Sequence, residues 1–421
     1  MFVQRIRRGF PSKLSSPAFA RSHGLPSVEE CGCPPKSWRR RTGASAGYAE
    51  PQVPRAPVRG APPLINLLLL VALLALGASC SLNPPPFDEA VWRTKVQSAD
   101  PALLYAPHFK NDRFFNPWMP GEDKGFFTLL RWRLTSSQEY TEEERTYLPH
   151  VVENAKERIL AMPEGDFIMW VGHATFLIRL NGEYWLIDPI FSERALVLKR
   201  KTPPGITAEA LKEVAPNLRV IITHNHYDHL DKSSILDLPE NTKMFVPLGL
   251  KEYVQDLDKK DVTEMDWWQE IDCGKGITLA CLPVQHWSRR FGQGARETLW
   301  ASFMLITPKV TIYLGGDTGY FIGHKEIGKR YPKIDYALLP TTAYHPRWFM
   351  HYNHMNVDEA IEALKDLNAR FMIPHQWGTF HLGDEPPGHS IVELKRKITE
   401  ERLDASRFII LDIGAILPIN K

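Results

Sequence analysis

The chain has 421 residues, 43% of them hydrophobic and 24% charged, enough apolar material for one large domain or two ordinary ones; this excludes a disordered, collagenous or disulfide-scaffold protein. Basic and acidic residues nearly cancel, 51 against 49, but unevenly: residues 1–79 hold 11 Lys/Arg and 3 Asp/Glu, which leaves 40 basic and 46 acidic residues, a net −6, to residues 80–421. An acidic body without a basic run has nothing to offer a phosphate backbone, so nucleic acid is excluded as a partner.

Residues 1–63 carry ten prolines, many Arg and Ser, and no apolar periodicity, and read as a disordered basic leader. From Leu64 to Ala78 the sequence LINLLLLVALLALGA is almost wholly apolar. As a helix it would be roughly 22 Å long, short of the ~30 Å bilayer core, so residues 64–80 read as a signal or anchor segment rather than a span. It leads into Gly77-Ala78-Ser79-Cys80, an arrangement that resembles a bacterial lipoprotein signal, in which the cysteine becomes the first mature residue and carries a diacylglycerol. Gly77 departs from that pattern, where Leu is usual. The resemblance implies a membrane-anchored, periplasm-facing lipoprotein. An uncleaved anchor and an Arg-rich transit peptide are the alternatives. Residues 81–105 read as a linker. Only Cys273 and Cys281 remain in the body, too few for a disulfide framework, and both read as core residues.

Residues 166–180 and 184–187 are strand-like runs joined by Asn181-Gly182, a strong hairpin signal. Further strand runs follow at 219–223, 243–249, 277–284, 299–307, 310–315, 336–340, 370–374 and 408–417. Helix patterns fall between many of them. In one, Asn356 can cap with Glu359 three residues on, and Val357, Ala360, Ile361, Leu364 and Leu367 form an apolar stripe that belongs to the core. Meander-like strands followed by alternating strands and helices predict large sheets covered by helices, in one α/β domain over 106–421.

The chemistry begins where the run 219–223 ends. His224-Asn225-His226-Tyr227-Asp228-His229 places three imidazoles and a carboxylate within six residues, a combination that points to a metal site. Imidazole and carboxylate without thiolate suit zinc, with iron or manganese as alternatives. His286, Asp317 and His375 each stand where a later apolar run ends. Taken singly, each would more often be a turn residue; together with the cluster they become ligand candidates. Gly315-Gly316 before Asp317 would let backbone approach the site closely.

An H-x-H-x-D-H cluster followed by a lone His, a lone Asp and a lone His resembles the metallo-β-lactamase superfamily, whose fold is an αββα sandwich. The strings FFNPW (114–118), GHATF (172–176), DPIF (188–191), HNHYDHLD (224–231), FVPLGL (245–250), DWW (266–268), GDTGY (316–320) and PRWFM (346–350) are similar to its N-acylphosphatidylethanolamine-hydrolysing phospholipase D branch. The resemblance implies two zinc ions, one on His224, His226 and His286, the other on Asp228, His229 and His375, with Asp317 bridging. It gives Asp188 the role of orienting a ligand or the water, includes Asp228 among the catalytic residues, and sets His354 against the substrate phosphate or leaving group. It also implies a membrane phospholipid substrate and admits a homodimer. Two departures stand out. Gln376 separates His375 from Trp377-Gly378-Thr379-Phe380, one residue more than the family spacing, and His345 occupies a usually acidic position before PRWFM.

Two such ions would acidify a shared water for in-line attack on phosphorus, releasing an N-acylethanolamine and leaving phosphatidic acid. The competing readings are another hydrolase on the same site, with a lactone or different phosphodiester substrate, and a non-catalytic binding lipoprotein. A complete ligand set argues against the last.

Overall fold

The structure, a computed structural model, describes residues 84–419 except 85, 122, 123, 136, 137 and 163. The leader at 1–63 and the segment at 64–80 lie outside the described residues. Among the described residues no helix is long and apolar enough to cross a membrane.

Thirteen strands build two main sheets. The first contains β1 (Phe167–Gly172), β2 (Thr175–Leu180), β3 (Glu183–Ile187), β4 (Leu218–Ile221), β5 (Lys243–Pro247), β6 (Val262–Met265) and β13 (Ile416–Pro418), in the spatial order β6-β5-β4-β3-β2-β1-β13. The second runs in sequence order through β7 (Glu270–Asp272), β8 (Thr278–Leu282), β9 (Ser302–Ile306), β10 (Thr311–Leu314), β11 (Tyr336–Pro340) and β12 (Phe371–His375). Each sheet opens as an antiparallel meander and turns parallel, from β3 to β6 in the first and from β10 to β12 in the second.

Period-two alternation fixes the layers. Ile168, Trp170, Phe176, Ile178, Trp185, Ile187, Ile221 and Phe245 share one apolar cluster with Leu279, Cys281, Phe303, Leu305, Ile312 and Leu314 of the second sheet. Their chain neighbours Met169, Leu177, Leu186, Val220 and Met244 face the other way, onto Leu211 and Val214 of helix α2 (Ala208–Val214), Ile235 and Val254. Each such side chain contributes roughly 1.5–3 kcal/mol by leaving water. Helices α3 (Gly323–Arg330), α4 (Val357–Asp366) and α5 (His389–Glu400) add Ile327, Ile361, Leu364, Ile391 and Leu394 to the second sheet's cluster. The result is the expected αββα sandwich, a single unit over its described residues. Asn356 and Glu359 form the expected reciprocal cap on α4.

The structure corrects two expectations. The run 166–180 is two strands, broken at Gly172 (φ 125°) and His173 (φ 52°), because the chain reverses there instead of continuing. Of the run 408–417 only its end pairs, as β13. In the described part of 81–105, expected as a linker, α1 (Glu89–Gln97) starts on an Asp88 cap and buries Trp92 and Val96, and Leu104 follows them into the core. Trp92 also donates its indole N–H to Glu359 Oε1 of α4 at 3.0 Å. Trp92→Ala should therefore cost about 3–5 kcal/mol, read as a lowered denaturation midpoint; a linker residue would leave the midpoint unchanged.

Candidate metal centre

The residues singled out by sequence gather at one seam, where strands of both sheets end. Asp188 follows β3, His224 follows β4, His286 follows β8, Asp317 follows β10, and Gln376 follows β12. Strand carboxyl ends are where open α/β sheets leave room for a ligand. Gly316, at φ 60°, lets the turn before Asp317 come so close that an added Cβ would lie 3.0 Å from Thr223 Cβ.

Ligand atoms of His224, His226, His286 and Asp317 all lie within 4.8 Å of one another. His226 Nδ1 is 2.8 Å from His224 Nε2 and 3.2 Å from His286 Nε2, while Asp317 Oδ2 is 3.8 and 3.5 Å from those same two Nε2 atoms. Four ligands placed about 2.0–2.2 Å from one ion in a tetrahedron are roughly 3.3–3.6 Å apart, so the spacing fits a cation. Tautomers agree. His286 Nδ1 donates to Asn353 O at 3.3 Å and His224 Nδ1 to Thr223 Oγ1 at 3.0 Å, which turns both Nε2 lone pairs to the centre.

A second group adjoins the first through Asp317, whose Oδ1 lies 3.1 Å from His229 Nε2. His173, Asp228 and His229 form this group; Asp228 Oδ2 stands 3.5 Å from His229 Nε2 and accepts from His173 Nε2 at 2.9 Å. With one oxygen on each group, Asp317 has the disposition of a bridge. Asp188 lies behind. Its Oδ2 accepts from His229 Nδ1 at 2.7 Å and from the Thr223 hydroxyl at 2.6 Å, and its Oδ1 from the Thr223 amide at 2.7 Å. It is a positioning residue for His229, held at φ 41° in a left-handed conformation that Asp tolerates better than most side chains.

His375, expected as a ligand of the second ion, is placed apart from the ligand groups. It belongs to neither group; its ring meets Phe176 at 5.6 Å, edge to face, and its Nδ1 is buried without a partner. His375 is the last paired residue of β12, and the chain leaves the strand at Gln376. Gln376, at φ 73°, reaches the ligands: its Nε2 is 3.3 Å from His229 Nε2 and contacts Asp317 Oδ1. His173 is the residue that sequence reasoning missed, although it stands in the GHATF string. His354 is half-buried, its ring 5.4 Å from that of His286 and its Nδ1 unpartnered. His345 is turned elsewhere, bonded by the Tyr140 hydroxyl at 2.9 Å.

Electrostatics match a site made for positive charge. Burial and the neighbouring rings of His229, His226 and His286 push His224 well below the usual histidine range, and burial takes His226 down to about 4. Both therefore stay neutral, as ligands must. Burial opposes charge on His229, but Asp317, Asp228 and Asp188 outweigh it and hold the ring protonated when no cation is bound. Burial likewise opposes ionisation of Asp317, yet His229, His286 and His224 keep it well below the carboxylate range.

Because Asp188 fixes the His229 tautomer from outside, Asp188→Asn should weaken metal binding at His229 by roughly 10- to 100-fold, whereas Asp317→Asn should weaken both positions. Competition titration against a chromogenic chelator checks this; parent-like affinity in Asp188→Asn would reduce Asp188 to a turn residue.

The beta-lactamase superfamily domain family matches residues 184–377. The chain is 33% identical over 335 residues to N-acyl-phosphatidylethanolamine-hydrolyzing phospholipase D 1 of Caenorhabditis elegans, covering 73% of this chain and 91% of that protein. The mitochondrial N-acyl-phosphatidylethanolamine-hydrolyzing phospholipase D of Saccharomyces cerevisiae is 32% identical over 228 residues, 51% of this chain and 48% of that one. Among solved structures, a protein of Veillonella parvula described as "a possible metal-dependent hydrolase" superposes with a TM-score of 0.51 at 16% identity, covering 61% of this chain and 100% of that one, a likeness of fold. Ligand geometry, fold and sequence similarity agree: the chain belongs to the metallo-β-lactamase superfamily as a metal-dependent hydrolase resembling N-acylphosphatidylethanolamine-hydrolysing phospholipase D.

Proposed function

We propose that this chain is a zinc-dependent phosphodiesterase acting on N-acylphosphatidylethanolamine-type phospholipids. The observation that carries the reading is a cavity of about 1150 Å³ whose floor includes His226 and His286 and whose walls include Trp287, Phe291, Trp348 and Phe349. That exceeds the roughly 300–1,000 Å³ of most small-molecule pockets, leaving room for an acyl chain. Cationic side chains line it as well, Lys95, Lys124 and Arg289 among them, which suits an amphiphile carrying a phosphate. The lactone and other phosphodiester readings share the metal centre but give no use to the cations and the large aromatic wall together.

The residues present fit two cations, one on His224, His226, His286 and Asp317, the other against Asp317, Asp228 and His229. Bound there, such ions supply the Lewis acidity that acidifies water and offsets phosphoryl charge. The chain's own groups do the rest. Asp188 Oδ2 keeps the proton on His229 Nδ1 and Asn353 O keeps one on His286 Nδ1, so both Nε2 atoms remain available. His173 Nε2 steadies Asp228. Water attacks phosphorus in line, the phosphorus–oxygen bond to the N-acylethanolamine breaks, and a proton passes to the departing oxygen. The role of contacting that leaving group is proposed for His354, whose ring lies 5.4 Å from that of His286 and whose Nδ1 is unpartnered.

Incubating the purified chain with a mixed phospholipid panel should release N-acylethanolamine and phosphatidic acid, detected by mass spectrometry. His224→Ala should lose most of the metal and the activity. Hydrolysis of a lactone panel with no phospholipid turnover would transfer the reading to the alternative substrate class.

The membrane tether is part of the same proposal and rests on the sequence of residues 64–80. Cys80→Ser should release the chain from membranes or leave a larger, unprocessed form with the hydrolase site intact. Fractionation and migration like the parent's would mean that the segment is an uncleaved anchor.

A further inference from the structure

Three observations separate the two halves of the metal centre. The first group closes with four protein ligands, three of them imidazoles, and two of these, His224 and His286, have their Nδ1 protons committed outward. The second has a single imidazole, His229, pointing inward beside Asp317 and Asp228, with His173 engaged on Asp228. Where a further imidazole would complete it, the chain presents the Gln376 amide, whose nitrogen contacts Asp317 Oδ1 and stands 3.3 Å from His229 Nε2. His375 does not fill the gap. At the end of β12 it pairs with Pro340 of β11 and packs against Phe176.

A neutral amide differs from imidazole in two ways. Its nitrogen has no basic lone pair, so in the orientation found it can only donate, and it donates to the carboxylate oxygen that would otherwise turn to a second ion. Rotated by half a turn, it offers a carbonyl oxygen, a hard and weakly basic donor that suits manganese or magnesium better than zinc. Either way the second position is the poorer zinc site.

We propose that the two metal positions are unequal: the His224, His226, His286 and Asp317 position keeps its zinc, while the position at Asp228, His229 and Asp317 holds its ion weakly and exchangeably because Gln376 takes the place of a third strong ligand. This rests on reading the cluster as a metal centre. It goes beyond it by assigning a determinant of stoichiometry to Gln376.

The test is metal content, independent of turnover. The full chain, purified in detergent and loaded with zinc, is dialysed against metal-free buffer and its zinc counted by mass spectrometry; competition titration then gives the affinity of each position. The expected result is close to one zinc retained per chain, with the second binding weaker by at least roughly 100-fold, more than an outer-shell loss usually costs. Gln376→His should retain close to two. Should that variant misfold, Gln376→Glu, of the same size and with an anionic oxygen, should also tighten the second position. His375→Ala should leave the zinc count unchanged. Two tightly held zinc ions in the parent, or a loss of zinc in His375→Ala, would overturn the proposal while leaving the metal centre standing. A folded parent that retains no zinc would overturn the metal-centre reading itself.

Discussion

Three carboxylates, two of them buried, surround one imidazole at the seam between the sheets. Asp188, Asp317 and Asp228 lie 2.7, 3.1 and 3.5 Å from the two nitrogens of His229, and all but Asp228 are almost fully removed from solvent. Each buried ion costs several kcal/mol unless opposite charge comes with it. A single protonated His229 offsets one of the three. The residual negative charge is a standing demand for cations, and the sandwich is arranged so that the demand is met at one place.

That demand explains features remote from chemistry. Thr223 is a small residue at the end of β4, yet its amide and hydroxyl both bind Asp188, its hydroxyl receives His224 Nδ1, and its side chain abuts Gly316. One residue thus connects the acid behind His229, a ligand of the first group, and the turn of the opposite sheet that carries Asp317. A displacement of one sheet against the other would disturb all three contacts at once. The continuous apolar cluster between the sheets, from Trp170 and Trp185 to Phe303 and Ile312, makes such a displacement expensive.

Most of this was legible from sequence because it follows from periodicity and strand ends. Apolar runs located every strand that faces a core on both sides, and of the polar residues at their ends His224, His286 and Asp317 lie in one group whereas His375 does not join them. Edge strands β6 and β7 were not legible: Thr263, Glu264, Glu270 and Asp272 carry too much polarity to stand out. His173 was hidden inside an apolar run, where only a backbone reversal, invisible to composition, exposes it. Helix α1 buries just Trp92 and Val96 of nine residues, a pair four apart that is too sparse to announce a helix. The backbone decided His375: it ends the paired part of β12, and the left-handed turn at Gln376 that follows brings the amide to His229 and Asp317, a reversal that composition does not reveal.

Binding and chemistry are assigned to neighbouring parts of the chain. The ligands lie in the segments that directly follow strands fixed by hydrogen-bond ladders, His224 after β4, His286 after β8 and Asp317 after β10. The wall of the cavity continues from such segments, with Trp287 and Phe291 following β8 and Trp348 and Phe349 following β11. Phe291 is 95% exposed, so the wall is incomplete on that side until something apolar rests against it. A rigid floor and an unfinished apolar wall are what a hydrolase of amphiphiles requires. The head group must be held in line with a water, while the chains need only be kept out of bulk solvent, a loose requirement that many side-chain arrangements satisfy. Substrate preference can therefore drift in the wall without disturbing the floor.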